Sequence, residues 1–352
     1  SDVYPDLATI YSRLGKHTKE TEMIEKIKEI QSVYPAMKIT AERNVRQREP
    51  NITYEGLFLS EEGRNGLKDL EKIYNGIGFR MQPTIFQQFG LDAGWNNYKN
   101  IQDTDELESF DLQVNYSVFF NDYLEAGCEF GLENMITSDD SYLKYDIYAK
   151  GSYGESVEVH AEISQELISD NLEVLNQGIY ARGYGAGLMI DPVPSLFVGF
   201  DFDVIKYSDS NEGKLYNVWS SYRFFTDTSK YDFSYRYEKT ENTLVNQEVI
   251  SDAPVSSAHS VAYWSPGNYW KHMFSFEYRR ELWPLGRFYS GTSWFSVKYG
   301  IGYESYESVL QMLEADIFLE INPMFLLKGT LVFDRAEGYD RDQVFLSLVY
   351  RW

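Results

Sequence analysis

The sequence predicts an all-β transmembrane barrel of 16 antiparallel strands behind a short N-terminal helical hairpin. Three observations carry this fold class. From Asn51 onward apolar and polar residues alternate with period two, the pattern of strands with one dry and one wet face. The alternating runs are about 10–14 residues long, against the five or six usual in soluble sheets. The links between them alternate short and long, as strands that cross a membrane require. A soluble sandwich or propeller shares the alternation and is the competing architecture.

Composition sets the bounds. The chain has 352 residues, enough for one large domain and a small one. Aromatics make up 16%, with 29 tyrosines, and both strands and membrane-interface girdles favour them. No run of about 18 apolar residues exists, so no transmembrane helix is expected; a barrel strand, apolar on one face, escapes such a scan. No signal peptide is visible at Ser1, which for an exported chain is the expectation of a mature or shortened sequence. The single cysteine, Cys128, excludes an intrachain disulfide and a cysteine-built metal site. The net charge of −22 is unevenly placed: residues 1–50 hold 9 Lys/Arg and 8 Asp/Glu, and the other 302 hold 23 and 46. That acidity disfavours nucleic acid as a partner. It suits a cationic partner, divalent ions or simple solubility.

Residues 1–50 have a helical period. Leu7, Ile10, Tyr11 and Leu14 share one helix face, and Gly15 ends that helix. Ile24, Ile27, Ile30 and Tyr34 line a second, which stops at Pro35. The order Leu7-Ala8, Tyr11, Gly15, Ile24, Ile27, Pro35 resembles a tetratricopeptide repeat with a few extra residues in its turn. A single repeat leaves its face uncovered. Residues 1–50 therefore read as the last repeat of a longer array plus a linker, or as a lone hairpin packed on the barrel.

Residues 51–352 form the barrel, with strands expected near 51–59, 73–83, 89–97, 108–119, 123–135, 141–150, 156–166, 178–190, 195–207, 215–225, 229–240, 269–281, 291–303, 308–321, 325–335 and 341–352. Leu112, Val114 and Tyr116 alternate with Asp111, Gln113 and Asn115 in one of the clearest; Val157, Val159 and Ala161 alternate with Glu158, His160 and Glu162 in another. The last strand puts Leu346, Leu348, Tyr350 and Trp352 on one face and Ser347, Val349 and Arg351 on the other. Short links are expected at 120–122, 152–154, 191–194 and 322–323, and long ones at 98–107, 167–177, 208–214 and 336–340. Counting 256–265 as a strand gives seventeen. If both ends of the barrel segment lie on one side, the number is even. Counting back from Trp352 and forward from Asn51 agrees only if 241–268 is one long loop, extracellular or folded inward.

The inward faces collect Asp111, Glu125, Glu129, Glu133, Asp146, Glu158, Glu162, Asp201, Asp203, Asp232, Glu238, Glu277, Glu314, Asp316 and Glu320. Inward bases are fewer: Arg80, Lys144, Lys150, Arg223, Arg236, Arg279 and Lys298. A ring of carboxylates concentrates cations and repels anions. Equally, the acids could pair with these bases and merely keep the lumen wet. Tyr263 and Trp264 in the long loop are candidates for stacking on sugar rings or forming a lid; Tyr269 and Trp270 read as interfacial girdle. His160 between Glu158 and Glu162, with Ser164 nearby, suggests a hydrolytic dyad or a metal site only by spacing, because neighbours at i and i+2 on a strand stand about 7 Å apart. No nucleophile motif accompanies it. No cofactor is implied.

A helical repeat followed by a 16-strand barrel is similar to one family, the outer-membrane exporters of synthase-dependent exopolysaccharides: the secretins for cellulose, poly-N-acetylglucosamine and Pel. The segments that carry the likeness are 7–35, Phe89-Gly90-Leu91-Asp92-Ala93-Gly94, and Tyr263-Trp264-Ser265-Pro266-Gly267-Asn268-Tyr269-Trp270. The aromatic C-terminal strand likewise resembles the closing strand of bacterial outer-membrane barrels. The resemblance implies a barrel in the outer membrane, amid its lipid and lipopolysaccharide. It also implies periplasmic repeats that gather synthesis or modification enzymes, a polysaccharide as cargo, and no catalytic residues. An acidic lumen adds the expectation of a cationic, partially de-N-acetylated amino-sugar polymer. The alternative is a passive porin or oligosaccharide uptake channel.

Overall fold

The structure, a computed structural model, describes residues 4, 7, 11, 17–30, 49–84, 86–101, 105–121, 123–137, 140–154, 156–193, 195–226, 229–245, 261–282, 293–306, 308–322 and 324–352. Its strands are β1 Asn51–Gly63, β2 Lys68–Thr84, β3 Gln87–Lys99, β4 Glu106–Asn121, β5 Leu124–Met135, β6 Asp140–Tyr153, β7 Val157–Leu167 and β8 Tyr180–Val193. They continue as β9 Leu196–Tyr207, β10 Glu212–Phe225, β11 Ser229–Asn242, β12 Asn268–Leu282, β13 Ser293–Glu304, β14 Val309–Asn322, β15 Phe325–Ala336 and β16 Tyr339–Arg351. Each pairs antiparallel with the next, and β1 pairs with β16, Asn51 opposite Arg351, so the sheet closes. All sixteen expected crossings are present, and the described residues of 241–268 add none.

The outer face is apolar along every strand. Ile52, Tyr54 and Phe58 on β1, Leu112 and Val114 on β4, and Leu346, Leu348 and Trp352 at the C-terminal end all project outward and are exposed. Ile77 is 60% exposed and Phe274 61%. A continuous belt of this kind is unstable in water and is what a bilayer covers.

One end of the barrel carries both ends of the strand-bearing segment and most of the tight turns. There Asn121 accepts from the Tyr123 amide at 2.8 Å, and Asn322 from the Met324 amide at 2.8 Å. These side chains close the turn in place of backbone. Short turns mark the periplasmic end of such barrels. At the other end, the mouth, the expected length pattern holds only in part. The link at 336–340, expected to be long, is a tight hairpin of Glu337 and Gly338, where glycine supplies φ 67°. The 167–177 link is long, but it contains a helix, α2, Leu172–Gln177.

In the N-terminal segment Tyr4, Leu7 and Tyr11 lie in helical backbone, and α1 spans His17–Ile30. Met23 and Ile24 are buried, with Tyr4, Leu7 and Tyr11 packed against them. Lys19 Nζ donates to the Tyr123 hydroxyl at 3.2 Å, which sets α1 against the tight-turn end. Ile10, Leu14, Gly15, Tyr34, Pro35 and the linker to 48 lie outside the described residues.

Candidate functional site

The inward carboxylates stand where the alternation places them, on both sides of the lumen, but they are unevenly partnered. On β5 to β9 they crowd together. Glu129 stands opposite Asp146, and Glu162 and Asp203 flank Gly185 of β8 from either side. None of these four is in an ion pair among the described residues. Lys150 takes Glu158 at 2.9 Å, the Tyr148 hydroxyl donates to Glu125 at 2.7 Å, and Asn217 donates to Asp201 at 2.8 Å. His160 Nε2 lies 3.6 Å from Asp201, and its ring covers Gly187. It is thus drawn across β8, away from a metal array with Glu158 and Glu162, and no group of residues suited to a metal occurs among the described residues. Glu133 belongs to the fold: 4% exposed, it accepts from Tyr98 at 2.6 Å and Ser109 at 2.7 Å, and Lys144 bridges it to Asp111 at 3.2 and 2.6 Å.

The opposite wall is charge-balanced. Arg223 holds Asp232 at 3.1 Å, Lys271 holds Glu238 at 2.7 Å, Lys298 holds Glu314 at 3.6 Å, and Arg80 holds Asp92 at 2.6 Å. Ser296 and Thr330 donate to Asp316 at 3.1 and 2.7 Å. Glu277 stands between Asp232 and Lys298, and Glu320 opposite Leu326 near the tight turns. Ion-paired acids thus predominate on this side, Glu277 and Asp316 apart, whereas Glu129, Asp146, Glu162 and Asp203 on β5 to β9 stand outside ion pairs among the described residues.

Inward rings lie flat on glycines. Tyr74 covers Gly76 and Gly94, Tyr148 covers Gly127, and Trp219 covers Gly199; a Cβ at Gly94 would meet the Tyr74 ring at 2.1 Å. The glycine spacing of Phe89–Gly94 thus leaves room for Tyr74 and for the Arg80–Asp92 pair. Gly94→Val is expected to drive the Tyr74 ring into the lumen, costing about 1–3 kcal/mol of refolding stability. Single-channel conductance measured alongside falls; an unchanged value counts against this packing.

The mouth is narrowed by three segments folded inward. The first contains α2. Leu172 and Leu175 bury against Leu70, Tyr98, Leu107 and Met135, inward residues of β2 to β5. Asn171 caps the helix, accepting from the Val174 amide at 3.0 Å, and donates to Leu67 and Ala262 carbonyls at 3.1 and 2.7 Å. Gly178 ends it at φ 63°, a conformation glycine adopts freely. The second segment is the strap 261–267. Tyr263, 1% exposed, stacks on Tyr207 at 4.8 Å and donates to Asp209, while Asn211 donates to its hydroxyl at 2.9 Å and to Ser265 at 2.8 Å. Burial pushes the Tyr263 phenol pKa up, so it stays a donor at any ordinary pH. The strap reaches α2 through the Trp264 amide, which donates to Asp170 at 3.0 Å; Asp170 in turn holds Lys68 at 2.6 Å.

The third segment is the β1–β2 turn. Arg64 there has φ 51°, and its guanidinium donates to both oxygens of Glu304 at 3.0 and 2.7 Å. Glu304 is wholly buried and also accepts from Tyr269 and Ser308, each at 2.5 Å. Trp264, Tyr269, Tyr306 and Tyr339 surround the guanidinium, their ring centres 4.9–5.6 Å away. Below this cage a cavity of about 430 Å³ is lined by Trp219, Trp264, Arg236, Lys271, Met273 and Met312 among others.

These contacts revise two aromatic expectations. Tyr263 has no free face for a sugar and is a strut of the cap. Tyr269 is not girdle but an inward, 4%-exposed partner of Glu304, whereas Trp270 does face outward beside Tyr303. Trp264 edges the cavity, its indole nitrogen without a hydrogen-bond partner among the described residues. Asn211, Arg64, Glu304 and Trp219 were not singled out from sequence. Trp219 was within reach, since it alternates with Val218 and shares parity with Asn217 and Ser221. Arg64 and Glu304 are 240 residues apart, with no local pattern to join them.

No family model matches the chain, and no curated protein does. Among solved structures it is similar to a chain described as "Bacterial polysaccharide outer membrane secretin", with a TM-score of 0.67 at 12% identity, over 87% of this chain and 99% of that one. It also aligns with the outer membrane protein OprD from Pseudomonas aeruginosa, TM-score 0.42 at 13% identity, over 86% and 93%. A third is the CymD monoaromatic hydrocarbon channel, TM-score 0.41 at 9% identity, over 88% and 91%. The fold, with its apolar belt and polar lumen, is that of an outer-membrane β-barrel.

Proposed function

We propose that the protein is an outer-membrane channel that exports a polysaccharide through a capped lumen, without chemistry of its own. The cargo is a polymer bearing amines, such as a partially de-N-acetylated amino sugar. The unpaired track of Glu129, Asp146, Glu162 and Asp203 carries this reading. Field focusing along such a track raises the local concentration of cationic groups. Flat rings of Tyr74, Tyr148 and Trp219 offer sequence-tolerant stacking that is weak enough to release. The fold likeness to a polysaccharide secretin agrees with it. The helical segment at the tight-turn end would then be the last part of a periplasmic scaffold that gathers modifying enzymes. A passive porin is the second reading, favoured by the 430 Å³ cavity, whose lining of both charge signs, with bases such as Arg236 and Lys271 in excess over acids such as Glu238, suits small polar solutes.

Planar-bilayer recording separates these readings. The expected result is cation preference, with current blocked by de-N-acetylated chitin oligomers at concentrations at least about tenfold below acetylated ones, since each amine meets the focused field. Anion preference overturns the acidic-track reading. Block by neither oligomer, with free passage of small sugars, favours the porin. Changing the four track residues together to Gln or Asn is expected to lower the cation-to-anion permeability ratio severalfold.

A further inference from the structure

The outer face carries a charge pattern that passage through the lumen does not use. One outward position above the apolar belt, on three adjoining strands near the mouth, stand Arg182, Lys206 and Lys214. Arg182 is directly opposite Lys206 in the β8–β9 ladder, and Lys214 lies diagonal to Lys206, opposite Val204. All three are exposed, and none is in an ion pair among the described residues. Like charges directly opposite destabilise a sheet, and in a chain of net charge −22 cations are scarce. Two nearby acids, Glu212 and Glu241, face four outward bases, since Lys239 joins the three, so the group keeps an excess of positive charge. Glu212, opposite Lys206, makes no ion pair with it, and Glu241, opposite Lys214, is taken by Lys239 at 2.6 Å. Gln165 accepts from Arg182 Nε at 2.7 Å and holds that side chain along the wall. Just below, Tyr184 is 42% exposed at the depth of an interfacial girdle. Elsewhere the same rim carries acids, among them Glu62, Glu106, Glu108 and Asp340.

We propose that Arg182, Lys206 and Lys214 dock the phosphate groups of a phosphorylated glycolipid in the outer leaflet. The inference rests on the outer-membrane reading and on the tight turns facing the periplasm. Arginine binds phosphate through a planar fork, lysine as a point charge, and cations at a membrane surface each strengthen binding to anionic lipid. Grouped above the belt, they would meet head groups while the belt meets acyl chains.

The test uses the full chain in detergent and in liposomes. Native mass spectrometry is expected to show retention of diphosphorylated lipid A at concentrations where its dephosphorylated form is lost. R182Q/K206Q/K214Q is expected to weaken that retention about tenfold or more, while R182K/K206R/K214R keeps it. Heat-resistant gel migration confirms that both variants are folded barrels. Free pyrophosphate is expected not to compete at millimolar concentration; full competition would make the site one for soluble phosphate and overturn the lipid assignment. Equal retention of both lipids, or no loss in the Gln variant, also overturns it. Failure of the chain to float with liposomes would sink the membrane reading and this inference together, whereas insertion without phosphate preference sinks this inference alone.

Discussion

Barrels carrying Arg64→Ala are expected to conduct several times more current than the parent while keeping their strand content. The reason lies in what Arg64 leaves behind. Glu304 is wholly buried, and among the described residues its charge is balanced by the Arg64 guanidinium alone. Removing one member of a buried pair costs about 3–5 kcal/mol, because the other charge stays desolvated and unmatched. The mouth can avoid that cost by opening and letting water reach Glu304. The backbone favours the same outcome, since Arg64 is held at φ 51°, a left-handed conformation that costs a non-glycine residue roughly 1–3 kcal/mol. With the cage of Trp264, Tyr269, Tyr306 and Tyr339 emptied, the strap loses its contact with the β1–β2 turn.

Hydrogen exchange at the amides of 261–267 gives a second readout. It is expected to quicken by on the order of a hundredfold, the factor that corresponds to the lower end of that penalty. The pair Arg64→Met with Glu304→Leu removes both charges, and is expected to restore much of the protection while conductance returns toward the parent value. If Arg64→Ala leaves both conductance and exchange unchanged, the pair is not what holds the mouth.

The barrel was legible because its physics repeats. Period two recurs in every strand, and a one-residue error would turn each apolar residue inward, so the pattern reports facing as well as existence. Parity did the rest: the described residues 261–265 lie in no strand. The inward carboxylates followed from the same alternation. Their partners did not: whether Glu129 is free while Glu314 is held depends on which strands neighbour which, and on register between them. The cap was the least legible part. Asn171, Asn211 and Asp170 sit in links without any period, and each acts by meeting groups far away in sequence. Asn211 satisfies Tyr263, Ser265, Thr243 and the Leu244 amide at once. To a sequence reading it is one more polar turn residue after Asp209 and Ser210. The loop aromatics misled for the same reason: Tyr263 reads as exposed until Tyr207 and Asp209 are seen to cover it.

Replacing residues 168–179 with an Asn-Gly turn is expected to give the largest conductance change of any single alteration here. The segment starts at β7 and reaches β2, where the Asp69 amide donates to the Asp170 carbonyl at 3.2 Å, so it crosses the mouth rather than following the rim. Its removal takes away α2, the Lys68–Asp170 pair at 2.6 Å and the Asp170 anchor of the Trp264 amide at 3.0 Å, and thus loosens the strap as well. It leaves the β7–β8 ladder from Leu167–Tyr180 to Val157–Ile190 in place, losing beyond it the bond from the Ile168 amide to the Ile179 carbonyl at 2.9 Å. The barrel is therefore expected to refold with its ladder intact, exposing Leu70, Tyr98, Leu107 and Met135 to lumen water. The two halves of the mouth can then be told apart. The α2 segment covers the wall of β2 to β5, whereas Arg64 and the 430 Å³ cavity lie toward β10 to β16. Large conductance after excision, with little further gain on adding Arg64→Ala, would place the main obstruction at α2. A small rise after excision and a large one only on adding Arg64→Ala would place it at the Arg64 cage. No rise in either variant would mean that ions already pass the cap freely, and the gate would have to be sought at the tight-turn end.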